Sequence, residues 1–243
     1  MCSPQSTLTL SVKDALTTLG FTPDNVITKP SVGSLILLAH SPSALPPSHL
    51  LVLLPTLLTS IKSNQGLDES LAILLRSLTN ATAECSKHDL GENVITSLLD
   101  VLPYLSSVHP DPNIRHQTFR IISLVLSLTP PTLRLQLLVT LTSDTSPPPM
   151  CAAAVGLIKE AVIEALSHDT SPNILASPLL LQSLAPVLFP PRPRDLFSLI
   201  HSTHDLTDSQ ELSRIVECLS LYYFLLLRDK KNLVRRPCYC LFC

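Results

Sequence analysis

The chain has 243 residues, is 45% hydrophobic and only 15% charged, and carries a formal net charge of −2. Charged residues in ordinary domains make up roughly 25%, and no basic surplus is present to neutralise phosphates, so nucleic-acid binding is not expected. Five glycines against 22 prolines argue against phosphate-cradling loops, and a Leu-rich chain with 4% aromatics and no Trp suits helices packed on helices.

Residues Ser3 to Gly20 read as a first helix, with Leu8, Val12, Ala15, Leu16 and Leu19 at 3–4 spacing and Gly20 at the C-cap position. A connector with Pro23 and Pro30 leads to a short helix over Ser31–Ala39. The next helix opens at Pro47 and carries Leu50, Leu51, Leu54, Leu57, Leu58 and Ile61, with Pro55 inside it predicting a kink or break. Ser34 to Ile61 lacks Asp, Glu, Lys and Arg, but Pro42, Pro46, Pro47 and Pro55 cut it too short for a membrane span of about 20 residues.

Asn64-Gln65-Gly66 reads as a turn, Leu67–Glu84 and Glu92–Val108 as helices with Lys87–Gly91 as a loop between them, and Pro103 as a kink. Asp111 and Pro112 suit the cap and first turn of a helix containing Ile114, Phe119, Ile122, Leu124 and Val125, with Arg115, His116 and Arg120 on its polar side. Pro130-Pro131 opens a helix to Leu141, and Ser146–Pro149 reads as a loop. Met150–Leu166 follows, with Ala152, Ala153, Ala154 and Gly156 permitting close helix approach and Lys159, Glu160 and Glu164 on a solvent face. Met150 lies 36 residues after Ile114, near the period of helical-pair repeats, about 34–47 residues.

Pro178–Leu188 is a short helix, Phe189–Pro193 a rigid bend and Arg194–His201 another short helix. Thr207, Asp208 and Ser209 precede a last long helix bearing Leu212, Ile215, Val216, Leu219, Tyr222, Tyr223 and Leu226, with Glu211 in its first turn. Residues 1–232 are expected to form one helical-repeat domain, and 233–243 an irregular Cys-rich tail without structure.

Candidate chemistry is sparse. His201, His204 and Asp205 could suggest metal ligands, but no fourth ligand is evident and solvated loop residues explain them better. His109 and His116 flank the DPNIR helix start and read as capping or surface groups. No G-x-S-x-G, P-loop or H-E-x-x-H motif occurs, so the reading is a non-enzyme with no catalytic, cofactor-binding or metal residue. Cys2, Cys85, Cys151 and Cys218 are scattered, and no signal segment precedes them, which suggests reduced thiols in a cytoplasmic protein, with the nucleus as a second location. Cys238, Cys240 and Cys243, after basic residues Lys230, Lys231, Arg235 and Arg236, form a poor prenylation box and a short metal set; the expectation is a tail that replaces a longer C-terminus.

The runs VHPDPNIRHQTFRIISLVLSLTPP, MCAAAVGLIKEAVIEAL, ASPLL with LFPPRP, and CLSLYYFLLLRDKKN resemble the glomulin and Yap-binding protein superfamily. The likeness covers Leu50 to Asn232 and is strongest over His109 to Leu166. It implies an all-α, HEAT/armadillo-like helical-repeat solenoid of about ten antiparallel helices, working through protein partners. Glomulin-type members bind the RING subunit of cullin ubiquitin ligases and block E2 access; Yap-binding members serve redox signalling to a transcription factor. The glomulin contact surface lies in C-terminal repeats of a longer protein, so no binding residue carries over and the protein-binding residues are unknown.

Overall fold

Prolines and small polar caps divide the chain into helices. The computed structural model describes residues 18, 27–41, 46, 48–83, 90–167, 173–192, 196 and 210–234. Among these residues every regular element is helical. The α-helices are α1 (Val32–His40), α2 (Ser48–Ser63), α3 (Leu67–Ala83), α4 (Glu92–Val108), α5 (Pro112–Ser127), α6 (Pro131–Leu141), α7 (Pro148–Ser167), α8 (Pro178–Leu188) and α9 (Gln210–Arg228), with a single 3-10 turn at Ile174–Ala176. The expected all-α, helical-repeat type of fold is therefore observed. The expected first helix apart from Thr18, the cap residues Thr207, Asp208 and Ser209, and nearly all of the expected helix over Arg194–His201 lie outside the described residues.

The chain divides into two compact units, Met1–Leu128 and Thr129–Cys243. In the first unit α4 packs on α5, α3 packs on α5, α1 and α2, and α2 also meets α4. Its core is a leucine and isoleucine layer, with Leu35, Leu53, Leu57, Leu71, Leu74, Leu98, Leu102 and Ile121 fully enclosed. Each such side chain contributes about 1.5–3 kcal/mol of burial.

Local sequence explains the helix ends. Ser31 Oγ accepts from Ser34 N–H while Ser34 Oγ accepts from Ser31 N–H, which closes a capping box at α1. Asp111 Oδ1 accepts from Asn113 N–H at 2.8 Å, and Pro112 occupies the first turn of α5, as expected. His109 is part of the same helix entry: its Nδ1 accepts from Asp111 N–H, and its carbonyl accepts from Arg115 at 2.7 Å. His116 is exposed on α5.

The α2–α3 turn needs Gly66, whose φ is +65° and where a Cβ would stand 3.3 Å from Val32 Cγ1. Ser60 Oγ donates toward the carbonyls of Gln65 and Gly66 and accepts from Ser70 Oγ, so the buried hydroxyls satisfy the turn's carbonyls.

The break allowed for at Pro55 does not occur: helix α2 runs through Pro55, and α4 runs through Pro103. Pro55 deprives the carbonyl of Leu51 of its donor, but Leu51 is on the solvent-facing side, where water can serve that group. Leu51, one of the apolar residues read for this helix, is thus exposed, while Leu53 is inside.

In the second unit α7 packs on α9 and α6, and the 3-10 turn joins α6, α7 and α8. Helix α7 begins at Pro148, two residues before the expected start, because prolines are tolerated in a first turn. Its inner face is Met150, Cys151, Ala154, Val155, Leu157, Ile158, Ala161, Val162 and Ala165. Gly156 has open space where a Cβ would stand, so the close approach expected there does not occur. Glu160 and Glu164 lie on the expected solvent face, and Glu164 pairs from there with the buried Arg134 at 2.7 Å. Lys159 is half-buried instead, 5.5 Å from the Phe224 ring centre and 3.4 Å from Ser220 Oγ.

Candidate functional site

Both surfaces with functional potential belong to the second unit, and α9 builds part of each. Its period-3.6 pattern offers two faces. Arg214, Cys218, Leu221 and Leu225 are buried, at a spacing that keeps them on one side. Val216, Leu219, Tyr222, Tyr223, Leu226 and Leu227 lie outside, with Leu219 58% and Tyr223 63% exposed. Most of the apolar residues read from the sequence for this helix thus lie on its outer face. Tyr222 touches Phe189 edge-to-face at 6.1 Å between ring centres, which leaves the remainder of the stripe open.

After α9 the chain turns back. Asp229 is buried and its two carboxylate oxygens accept from Leu233 N–H at 2.7 Å and Val234 N–H at 3.0 Å. Val234 is buried as well, so the first residues past the expected domain end are held against the unit.

The other surface is a cleft of about 570 Å³ lined by Asp144, Ser146, Cys151, Arg192, Glu211 and Arg214 among others. The Pro-rich bend after α8 places Arg192. Its Nη2 donates to the carbonyls of Thr142 and Val187, its Nε meets Asp144 Oδ1 at 2.8 Å, and its backbone N–H donates to Glu211 Oε1. Arg214 is more enclosed. It donates to Glu211 through Nε at 2.7 Å, and through its terminal nitrogens to the carbonyls of Leu188 and Pro190. These donors satisfy carbonyls at the end of α8, which otherwise lack partners. The contact with Glu211 also raises the affinity of Arg214 for its proton.

Two thiols complete the cluster. Cys151 Sγ contacts the carbonyls of Ser143 and Ser146 and lies 3.9 Å from Arg192 Nη1. Cys218 Sγ lies 3.8 Å from Arg214 Nη1. Burial raises both thiols above their ordinary pKa, and the neighbouring guanidinium groups only partly oppose it. Such thiols are protonated and weakly nucleophilic at neutral pH.

Sequence reasoning singled out none of Asp144, Ser146, Arg192 and Arg214 as a site. The available signal was an arginine inside a proline-rich bend and another on an otherwise apolar helix. Of the residues it weighed, His109 and His116 lie in the first unit and take no part in the cleft; Cys151 and Cys218 reach the arginine cluster. Cys85, His201, His204, Asp205, Arg235, Arg236, Cys238, Cys240 and Cys243 lie outside the described residues. Among the described residues no group of His, Cys, Asp and Glu could hold a metal ion, and no helix is long and apolar enough to cross a membrane.

A family model described as "Uncharacterised protein family, YAP/Alf4/glomulin" matches residues 17–237. The chain belongs to this family. Among curated proteins and solved structures none matches. The family match extends beyond the stretch on which the resemblance was first recognised, at both ends.

Proposed function

We propose that this family member is a non-enzymatic adaptor that binds a protein partner through the outer face of α9. The partner proposed is the RING subunit of a cullin ubiquitin ligase, whose E2-binding surface it would cover. The observation that carries the reading is the row of Val216, Leu219, Tyr223 and Leu226, three or four residues apart and so about 4.5–6 Å apart along the helix axis, all exposed on one helix. A contiguous apolar patch of this kind on a helix marks an interaction surface, and tyrosines at its centre are good anchors. Family membership supports a protein-binding role over catalysis, and the raised pKa of the two buried thiols, Cys151 and Cys218, gives no support to a cysteine nucleophile. Action in the cytoplasm and nucleus follows from this partner choice.

The test is a binding titration of the full chain against a purified cullin–RING complex, with the E2-dependent ubiquitination rate measured alongside. Binding with a slowed rate is expected, together with its loss in Leu219→Glu and Tyr223→Glu at unchanged thermal stability. A folded, helical sample that does not bind sinks the cullin–RING assignment. The redox-adaptor alternative gains little from Cys151 and Cys218, since burial keeps both as thiols.

A further inference from the structure

We propose that Ser146 is a phosphorylation site for a proline-directed kinase, and that Arg192 receives the phosphate in the cleft. The motif is Ser146-Pro147, in the loop between α6 and α7. The other Ser/Thr-Pro serines and threonines among the described residues are Ser41, Thr129 and Ser177. Thr129 is buried. Ser41 is the C-cap of α1, where the negative end of the helix opposes a phosphate. Ser177 Oγ donates to the carbonyl of Ile174, inside the turn before α8. Ser146 is half-buried, lies outside any helix, and lines the same cleft as Arg192.

The geometry brings the two together. The Ser146 carbonyl oxygen and Arg192 Nη1 both lie within 4 Å of a single atom, Cys151 Sγ. Both residues line the same cleft, and in the proposed state a phosphate on Ser146 Oγ turns toward the guanidinium once the hydroxyl releases its acceptor, the Thr140 carbonyl. Arg192 Nε is held by Asp144, whose carboxylate is 82% exposed, and an exposed pair of this kind is worth about 0–1 kcal/mol. A phosphoserine bears a charge of about −1.5 to −2 near neutrality and outcompetes one exposed carboxylate for the guanidinium. The second cation, Arg214, stays with Glu211 and the α8 carbonyls.

The start of α7 contributes only its dipole. Pro148 and Pro149 have no N–H, and the N–H groups of Met150 and Cys151 already donate to the Pro147 carbonyl. Recognition of the phosphate thus falls to Arg192. In the reaction the γ-phosphoryl group of ATP passes to Ser146 Oγ, the hydroxyl proton leaves and ADP is released. The product ties the α6–α7 loop to a guanidinium that already bonds the carbonyls of Thr142 and Val187.

The experiment treats the folded full chain with a proline-directed Ser/Thr kinase and ATP, maps the phosphate by peptide mass spectrometry, and titrates it by ³¹P NMR. The Ser146 resonance is the one lost in Ser146→Ala. Phosphate at Ser146 is expected, with a second ionisation below about 6, the value for free phosphoserine. Asp144→Asn removes the competing carboxylate at an exposed position and should lower that ionisation further; Arg192→Gln should return it to about 6. Absence of phosphate at Ser146 in the folded chain overturns the proposal. So does a phosphate that ionises at or above about 6 and ignores Asp144→Asn, a readout that stands even where Arg192→Gln fails to fold.

Discussion

Replacing Arg214 with alanine should be the most damaging single change in the second unit. Arg214 is only 2% exposed and binds four acceptors: both Glu211 oxygens and the carbonyls of Leu188 and Pro190. The Glu211 side chain is itself 12% exposed, so the substitution takes the charged partner Arg214 away from a desolvated carboxylate, which keeps the Arg192 N–H among its donors. Breaking a buried ion pair from one side costs about 3–5 kcal/mol, because the other charge is stranded. Two carbonyls lose charge-assisted bonds in the same step, each worth about 1.5–3 kcal/mol, though these terms overlap and do not add in full. The expected loss is therefore about 4 kcal/mol. Urea unfolding followed by far-UV circular dichroism measures it. With two units in the chain the loss should fall on one transition, and hydrogen exchange should place it in α7, α8 and α9. The double variant Arg214→Met with Glu211→Leu removes both charges and should recover most of the stability. A single-variant loss under about 1 kcal/mol, or a double variant no better than Arg214→Ala, would refute the view that stranded charge sets the cost.

Gly66→Ala should cost about 1–2 kcal/mol, since φ is +65° and the added methyl meets Val32, with thermal melting as the check. Asp229→Ala should free the chain after α9, costing about 1–3 kcal/mol and exposing the amides of Leu233 and Val234 to hydrogen exchange. The two buried thiols make stability pH-dependent in a defined direction. Their folded pKa lies above the model-compound value of 9.0, so the unfolded chain releases these protons first as pH rises. Their contribution is complete well below pH 9.0 and declines as pH climbs from there through the folded pKa. Denaturant midpoints at pH 7.5 and 10 should show this fall, and a double Cys151→Ser, Cys218→Ala variant should show less of it. Thiol-specific labelling at pH 7.5 should also be slow until the chain unfolds.

The positions of helices were legible wherever a cap, a proline and a 3.6-residue pattern agreed. Asp111-Pro112 opens α5 and Pro131 opens α6, because both signals act through local backbone chemistry that needs no partner. The same local nature made the family resemblance readable, since the order of the runs from His109 to Leu166 is a property of the chain alone. Which side of a helix faces inward was less legible when the helix was apolar all round. Helix α9 offers large side chains on both sides, and α7 takes the side with Arg214, Cys218, Leu221 and Leu225. The opposite row, equally apolar to the eye, is left as a surface. The cleft was illegible for a different reason. Asp144, Ser146, Cys151, Arg192, Glu211 and Arg214 come from four separate stretches, and no spacing rule connects them. Burying an arginine is favourable only when free carbonyls and a carboxylate converge on it, and that convergence exists only after α7, α8 and α9 have packed. Sequence alone thus determined an all-helical protein of the glomulin type and the ends of most of its helices. Tertiary packing decided which charges could be buried and which apolar row was left for a partner, because both depend on what lies opposite each helix face.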